Sequence, residues 1–200
     1  MNTIKTNLTT EAIFSDDGLR RYTLKKTWDS ALPKLAIVML APAEASGIVL
    51  DNTTQLCLNN SARMGYGSIE IVNLFSRLNC TDPEEYDEED DADNIEAIVA
   101  AAKTADLVVY APGTGKAKCK VFQERQKDVL NALRPFAHKL NCLCNESGRA
   151  RLQHPLSPSL RNWTITPFEI SELISEPVKE ESKPKRKPHA KSAKENKDIE

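Results

Sequence analysis

Glycine is scarce in this chain: 7 of 200 residues, with aromatics at 6%. Scarcity on that scale excludes collagen-like and glycine-rich low-complexity classes, and makes each glycine informative about where the chain must turn. Long apolar runs are also missing. The longest clean one, Leu35 to Ala41, falls far short of the roughly 18 to 20 residues that cross a bilayer, so no membrane association is expected. The first 30 residues interleave Lys5, Arg20, Arg21, Lys25 and Lys26 with polar residues and lack the apolar centre of a secretory signal. Cysteine numbers five, an odd count at irregular spacing, which makes a poor disulfide framework and points to a reducing cytoplasm. An excess of charge is absent too, with 27 basic and 29 acidic residues, which excludes a uniformly basic nucleic-acid coat.

The near-neutral total is a cancellation. Residues 82–93 carry nine acids and no base, the composition of a solvated loop or of a surface for a protein partner. From Glu176 onward the chain has no aromatic residue and is rich in Lys, Glu, Ser and Pro, so residues 176–200 are expected to be a disordered tail. Within it Lys183, Lys185, Arg186 and Lys187 open a run suited to salt-sensitive contact with nucleic-acid phosphates. Residues 1–11 are expected to be a flexible N-terminus, which leaves residues 12–175 as a single domain.

Ala12-Ile-Phe and Tyr22-Thr-Leu flank the turn Ser15-Asp-Asp-Gly18 and predict an N-terminal hairpin. Leu35–Leu40, Ser68–Phe75, Asp106–Tyr110 and Lys139–Cys144 read as buried strands. Helices are expected between them over 51–64, 94–104 and 118–133. The first is announced by Asp51 as a capping residue; the other two by apolar stripes such as Ile95, Ile98, Val99 and Ala102. This alternation predicts an α/β fold, a mostly parallel central sheet with helices on both faces. Ligands of such sheets bind outside the carboxyl ends of the strands.

That rule nominates the segments after Leu40, Leu74, Tyr110 and Cys144. Ala111-Pro-Gly-Thr-Gly-Lys116 follows a strand and precedes a helix. Gly113 and Lys116 suit an anion contact there, but the loop lacks the first Gly and the Ser/Thr of a nucleoside-triphosphate loop; otherwise its glycines only turn the chain. Arg149 and Arg151 offer phosphate contacts, and His154 offers a hydrogen bond or proton transfer. Asn73 is a polar side chain in an apolar strand end, which needs a partner if buried. Cys119, between Lys118 and Lys120, is the one cysteine in basic company. Cys142-x-Cys144 reads as alternating strand cysteines, so no metal and no cofactor is expected.

Taken in order, Ala12-Ile-Phe-Ser-Asp-Asp-Gly18, Arg21-Tyr-Thr-Leu24, Thr27-Trp-Asp29, Ile37-Val-Met-Leu-Ala-Pro42, Asp51-Asn-Thr-Thr54, Gly65-Tyr-Gly67, Ile71-Val-Asn-Leu-Phe75, Thr81-Asp-Pro83 and His154-Pro-Leu156 resemble the bacterial and phage domain-of-unknown-function family 1643. The resemblance spans roughly residues 12 to 167. That pattern is in turn distantly similar to uracil-DNA-glycosylase-like domains, in which an Asn-Pro-Ser-like turn and a late His-Pro turn flank a nucleobase pocket. The similarity implies that Pro42, within Ala41-Pro42-Ala43, and His154-Pro155 flank such a pocket. It departs where polar residues are usual: Ala41 and Ala43 replace Asn and Ser, Asn52-Thr53-Thr54 stands for Asp-Pro-Thr, and Pro112-Gly113 for Trp-Gly. The resulting expectation is a domain that binds a nucleotide, nucleobase or nucleic acid through Asn73, Pro42, Gly113, Lys116, Arg149 and Arg151. If hydrolytic chemistry is retained, His154 polarises the leaving group, and Asp51 or Asp16 positions water. The alternative is a catalytically silent interaction protein of a phage or mobile element.

Overall fold

Uninterrupted apolar character along Leu35 to Met39 requires burial on both faces, and the chain satisfies it by placing this strand at the centre of a seven-stranded sheet. The computed structural model describes residues 1–43, 47–80, 82–83, 86, 91–145, 147–148, 151–160 and 163–174. The strands are β1 (Thr9–Phe14), β2 (Arg21–Thr27), β3 (Lys34–Met39), β4 (Ser68–Asn73), β5 (Leu107–Tyr110), β6 (Leu140–Cys144) and β7 (Thr164–Pro167). The helices are α1 (Asn52–Arg63), α2 (Asp91–Thr104) and α3 (Lys120–Ala132). Short 3-10 turns occupy Arg134–Lys139 and Ile170–Glu172.

Strand order is β1-β2-β4-β3-β5-β6-β7. The expected α/β fold is present, but its sheet is mixed rather than mostly parallel. β4, β3, β5 and β6 run parallel, whereas β1 with β2, β2 with β4, and β6 with β7 are antiparallel. The N-terminal hairpin continues the sheet at one side and β7 closes it at the other. β1 begins at Thr9, inside the stretch expected to be an unstructured N-terminus. The tail from residue 175 onward and half of the acidic stretch 82–93, residues 84, 85 and 87–90, lie outside the described residues.

Two apolar layers sandwich the sheet. On one face Val38, Val72, Tyr110 and Cys142 pack against Ala101, Phe122, Val129 and Leu130 of α2 and α3. On the other, Ile37, Met39, Ile69, Ile71 and Leu143 pack against Cys57 of α1 and against Leu160. From β3 the chain moves through α1 to β4, then returns past β3 to β5. The order therefore reverses between β3 and β5, and residues leaving their carboxyl ends, Leu40 and Pro112 to Lys116, line one crevice where such sheets bind ligands.

Candidate functional site

Asn73 ends β4 beside Met39 of β3, on the face that carries Ile69 and Ile71. It is 1% exposed, and neither oxygen nor nitrogen of its amide has a hydrogen-bond partner among the described residues. The strand end itself is firmly held from the opposite face. Asn94 Nδ2 of α2 donates to the carbonyls of Asn73 and Leu74, both at 3.1 Å, and Arg125 Nε of α3 donates to Leu74 O at 2.6 Å. The backbone is thus fixed while the side-chain amide on the α1 side is left alone. A buried amide in that state costs about 1–3 kcal/mol.

Asp51 caps α1. Its Oδ1 accepts from Thr54 N at 2.7 Å and its Oδ2 from Thr54 Oγ1 at 3.1 Å, as the sequence predicts for this residue. Its charge is felt by Arg21, Cys57 and His154, which places all three around the start of this helix. Arg21 opens β2 with its side chain 2% exposed, and its Nη1 donates to Ala43 O at 3.3 Å across the turn after β3. Burial pulls its guanidinium down to about 10 against the opposing pull of Asp51, so it stays protonated at neutral pH. Desolvation pushes the Cys57 thiol up, which leaves it an inert core group.

His154 is half-buried, and burial holds its imidazole below the ordinary value, with Asp51 opposing. Its Nδ1 accepts from Leu156 N at 3.2 Å, so the neutral ring carries its proton on Nε2, as a donor. The segment bearing it is pinned to β6 by Gln153 N donating to Leu143 O, and braced by Ser157 Oγ on Gln153 Oε1 at 2.7 Å. Gly113 approaches it closely. With φ +80°, Gly113 is in the left-handed region, and a Cβ there would sit 3.0 Å from His154 Cβ.

The 111–119 loop divides two cavities. One, of about 470 Å³, is walled by Leu40, Pro112 to Lys116, Gln153, His154, Leu156 and Ser157. The other, of about 620 Å³, lies against α3 between Tyr110, Phe122, Gln126 and Leu173. Lys116 lines the first, and its Nζ is 3.8 Å from an Asp82 carboxylate oxygen. Pro42 is buried, and its carbonyl accepts from Asn79 N at 3.1 Å, closing the turn after β3 onto the turn after β4.

Not every expected residue gathers here. Arg151 is committed elsewhere: its guanidinium meets Glu172 at 3.0 and 3.2 Å and donates to Pro167 O at 2.6 Å, riveting the loop after β6 to the end of the fold. Asp16 is exposed in the hairpin turn and makes no hydrogen bond or ion pair among the described residues; the turn is closed by Asp17, which accepts from Ser15 Oγ and Leu19 N. Cys119 precedes α3 half-buried, and Cys142 and Cys144 are buried in β6. Arg149 and the tail residues Lys183, Lys185, Arg186 and Lys187 lie outside the described residues. Three residues at this strand end escape a sequence reading: Arg21, Asn94 and Arg125. An arginine within the strand motif Arg21-Tyr-Thr-Leu24 was the available signal for the first.

A family described as "Protein of unknown function (DUF1643)" matches residues 21–156, which takes in β2 through the His154-Pro155-Leu156 turn. No curated protein matches the chain.

Proposed function

The chain belongs to the DUF1643 family, and from that premise we propose that it binds a nucleobase-bearing ligand, a nucleotide or a base within nucleic acid, at the carboxyl ends of its parallel strands. The observation that carries this is Asn73. A primary amide offers one acceptor and two donors, and a nucleobase edge presents donors and acceptors side by side, so a single base satisfies what the protein leaves unsatisfied. The ligand enters by the 470 Å³ cavity, where His154 Nε2 donates to a carbonyl oxygen; Asn73 does not line that cavity, so its amide is reached only when the side chains over it move aside. The same location for a base is what a distant kinship with uracil-DNA-glycosylase-like domains, expected from the motifs alone, would imply.

Binding without cleavage is the form of this proposal that the residues favour. Ala41 and Ala43 carry no polar side chain to orient water, and both carboxylate oxygens of Asp51 are engaged by Thr54. The run beginning at Lys183 adds salt-dependent phosphate contacts when the ligand is an oligonucleotide.

The test is thermal-shift titration of the full chain with free nucleobases, nucleosides, nucleotides and short single-stranded oligonucleotides. A ligand at a hundred times its Kd stabilises the protein by about 2.7 kcal/mol. We expect one base class to raise the wild-type Tm, no effect of that base on Asn73→Leu, and no release of free base from the oligonucleotide. Absence of any shift across the series, or an equal shift in Asn73→Leu, rules the proposal out.

A further inference from the structure

Lys26 is the least expected residue in the sheet. It sits inside β2 directly opposite Ile69 of β4, and strand alternation puts it with Leu24 in the layer that faces α1, where an aliphatic residue is the ordinary choice. Its side chain is 0% exposed. Nζ donates to Thr10 Oγ1 at 3.0 Å and to Gly47 O at 2.9 Å, both neutral acceptors. An ammonium has three donors, and no carboxylate pairs with this one among the described residues. The neighbouring Lys25, which points to the other face, is the one that receives a counter-charge, from Glu11 at 3.5 Å.

A buried cation without an anion is expensive to maintain. Burial, and secondarily the charge of Arg21, push the Lys26 ammonium below its usual range, the direction expected of a buried ammonium beside another cation. The surroundings indicate what supplies it. Lys26 forms the polar end of an open cavity of about 450 Å³ whose other walls are Leu8, Thr10, Gly47, Ile48 and Leu50. That volume falls within the usual range for small-molecule sites, ~300–1,000 Å³. Ile48 at 95%, Val49 at 67% and Leu8 at 48% exposure leave apolar surface uncovered at its rim.

We propose that this cavity binds a small amphipathic carboxylate, its anionic head on Lys26 Nζ and its apolar chain along Leu8, Ile48 and Leu50. The site is separate from the one at Asn73. Ile69, opposite Lys26, is four residues before Asn73 on β4, roughly 13 Å at ~3.3 Å per residue. Charge complementarity selects the head group: an alcohol leaves the ammonium uncompensated, and an amine repels it.

The experiment titrates the full chain with octanoate, 1-octanol and octylamine below their aggregation concentrations, by calorimetry and thermal shift. Octanoate is expected to bind saturably and raise Tm; octanol and octylamine are expected to bind at least tenfold more weakly. Lys26→Met should abolish the preference for octanoate over octanol. Because Lys26→Met alters a buried position, Ile48→Ser, at an exposed wall, serves as a second variant and should weaken octanoate about tenfold with the fold intact. The Lys26 ε-methylene resonance should shift on adding octanoate to wild type. Equal binding of octanoate and octanol, unchanged octanoate affinity in both variants, or no binding of octanoate overturns the proposal. Asn73→Leu should keep the full octanoate response, so failure here and failure of the nucleobase proposal are read separately.

Discussion

The two ends of the parallel strands are built on opposite terms. At the amino end, polar groups meet. Lys34 N donates to Asp106 Oδ2 at 2.8 Å while Asp106 N donates to Lys34 O at 2.9 Å, which stitches β3 to the start of β5, and Lys34 Nζ meets Glu70 and Thr104. Lys139 Nζ caps the carboxyl end of α2 through Ala105 O at 2.7 Å. Gly67 is enclosed, accepting from Trp28 N and Asp29 N and donating to Pro33 O. At the carboxyl end, the Asn73 side-chain amide has no hydrogen-bond partner among the described residues, Arg21 is buried, and Gly113 adopts a left-handed conformation against His154. The two non-glycine residues with positive φ among the described residues, Asn79 and Leu152, are also in loops at this end. The unpartnered Asn73 amide and both positive-φ non-glycine residues thus sit at the end where we propose a ligand binds.

Substitutions at each end should therefore differ in kind. The largest effect is expected at the amino end from Gly67→Ala. The new Cβ would lie 1.8 Å from Asp29 O, a backbone atom that cannot yield cheaply, and the loss in unfolding free energy should exceed about 3 kcal/mol in urea denaturation. A loss under about 1 kcal/mol would mean that this end is looser than described. Next comes Gly113→Ala at the carboxyl end, where a left-handed alanine costs about 1–2 kcal/mol and crowds His154. It should weaken ligand binding more than it weakens the fold; stability falling with ligand affinity unchanged would remove the loop from the site.

The smallest effect concerns pH. His154 has a lowered value in the folded protein, so below its ordinary value of 6.5 the unfolded chain takes up the proton first. Stability should fall as pH drops below about 6.5, and the loss should level off once pH passes below the lowered folded value. His154→Gln should flatten that part of the curve relative to wild type. Identical curves between pH 7.5 and 5 would show that the imidazole is solvated rather than half-buried.

Much of this architecture is legible in the sequence because it follows from local chemistry. The unbroken apolar run predicts β3, and Asp51 announces α1 at the residue where its cap forms. Asn73 stands out as an amide among Ile71, Val72 and Leu74, and burial makes that exception meaningful. Strand direction is less legible, since an apolar strand reads alike whether its neighbour runs with it or against it; hence a mixed sheet where a mostly parallel one is expected. β7 is four residues, three half-buried and the last, Pro167, exposed, too short and too polar to carry a period. Arg151 looks free in a loop because Glu172, which holds it, comes 21 residues later. Arg21 is hidden for the converse reason: in an alternating strand, a charged residue reads as the solvent face, and the loop carrying Ala43 comes over it in the fold.

The contrast between the ends comes down to whether Asn73 is kept at the expense of stability. Asn73→Leu replaces an unpartnered amide with an apolar side chain of similar size, so the urea-unfolding free energy of the variant without ligand is predicted to rise by about 1–3 kcal/mol while the nucleobase response disappears. A variant destabilised by the same amount would contradict this, because it would show that the amide is satisfied within the folded protein and serves the fold instead of a ligand.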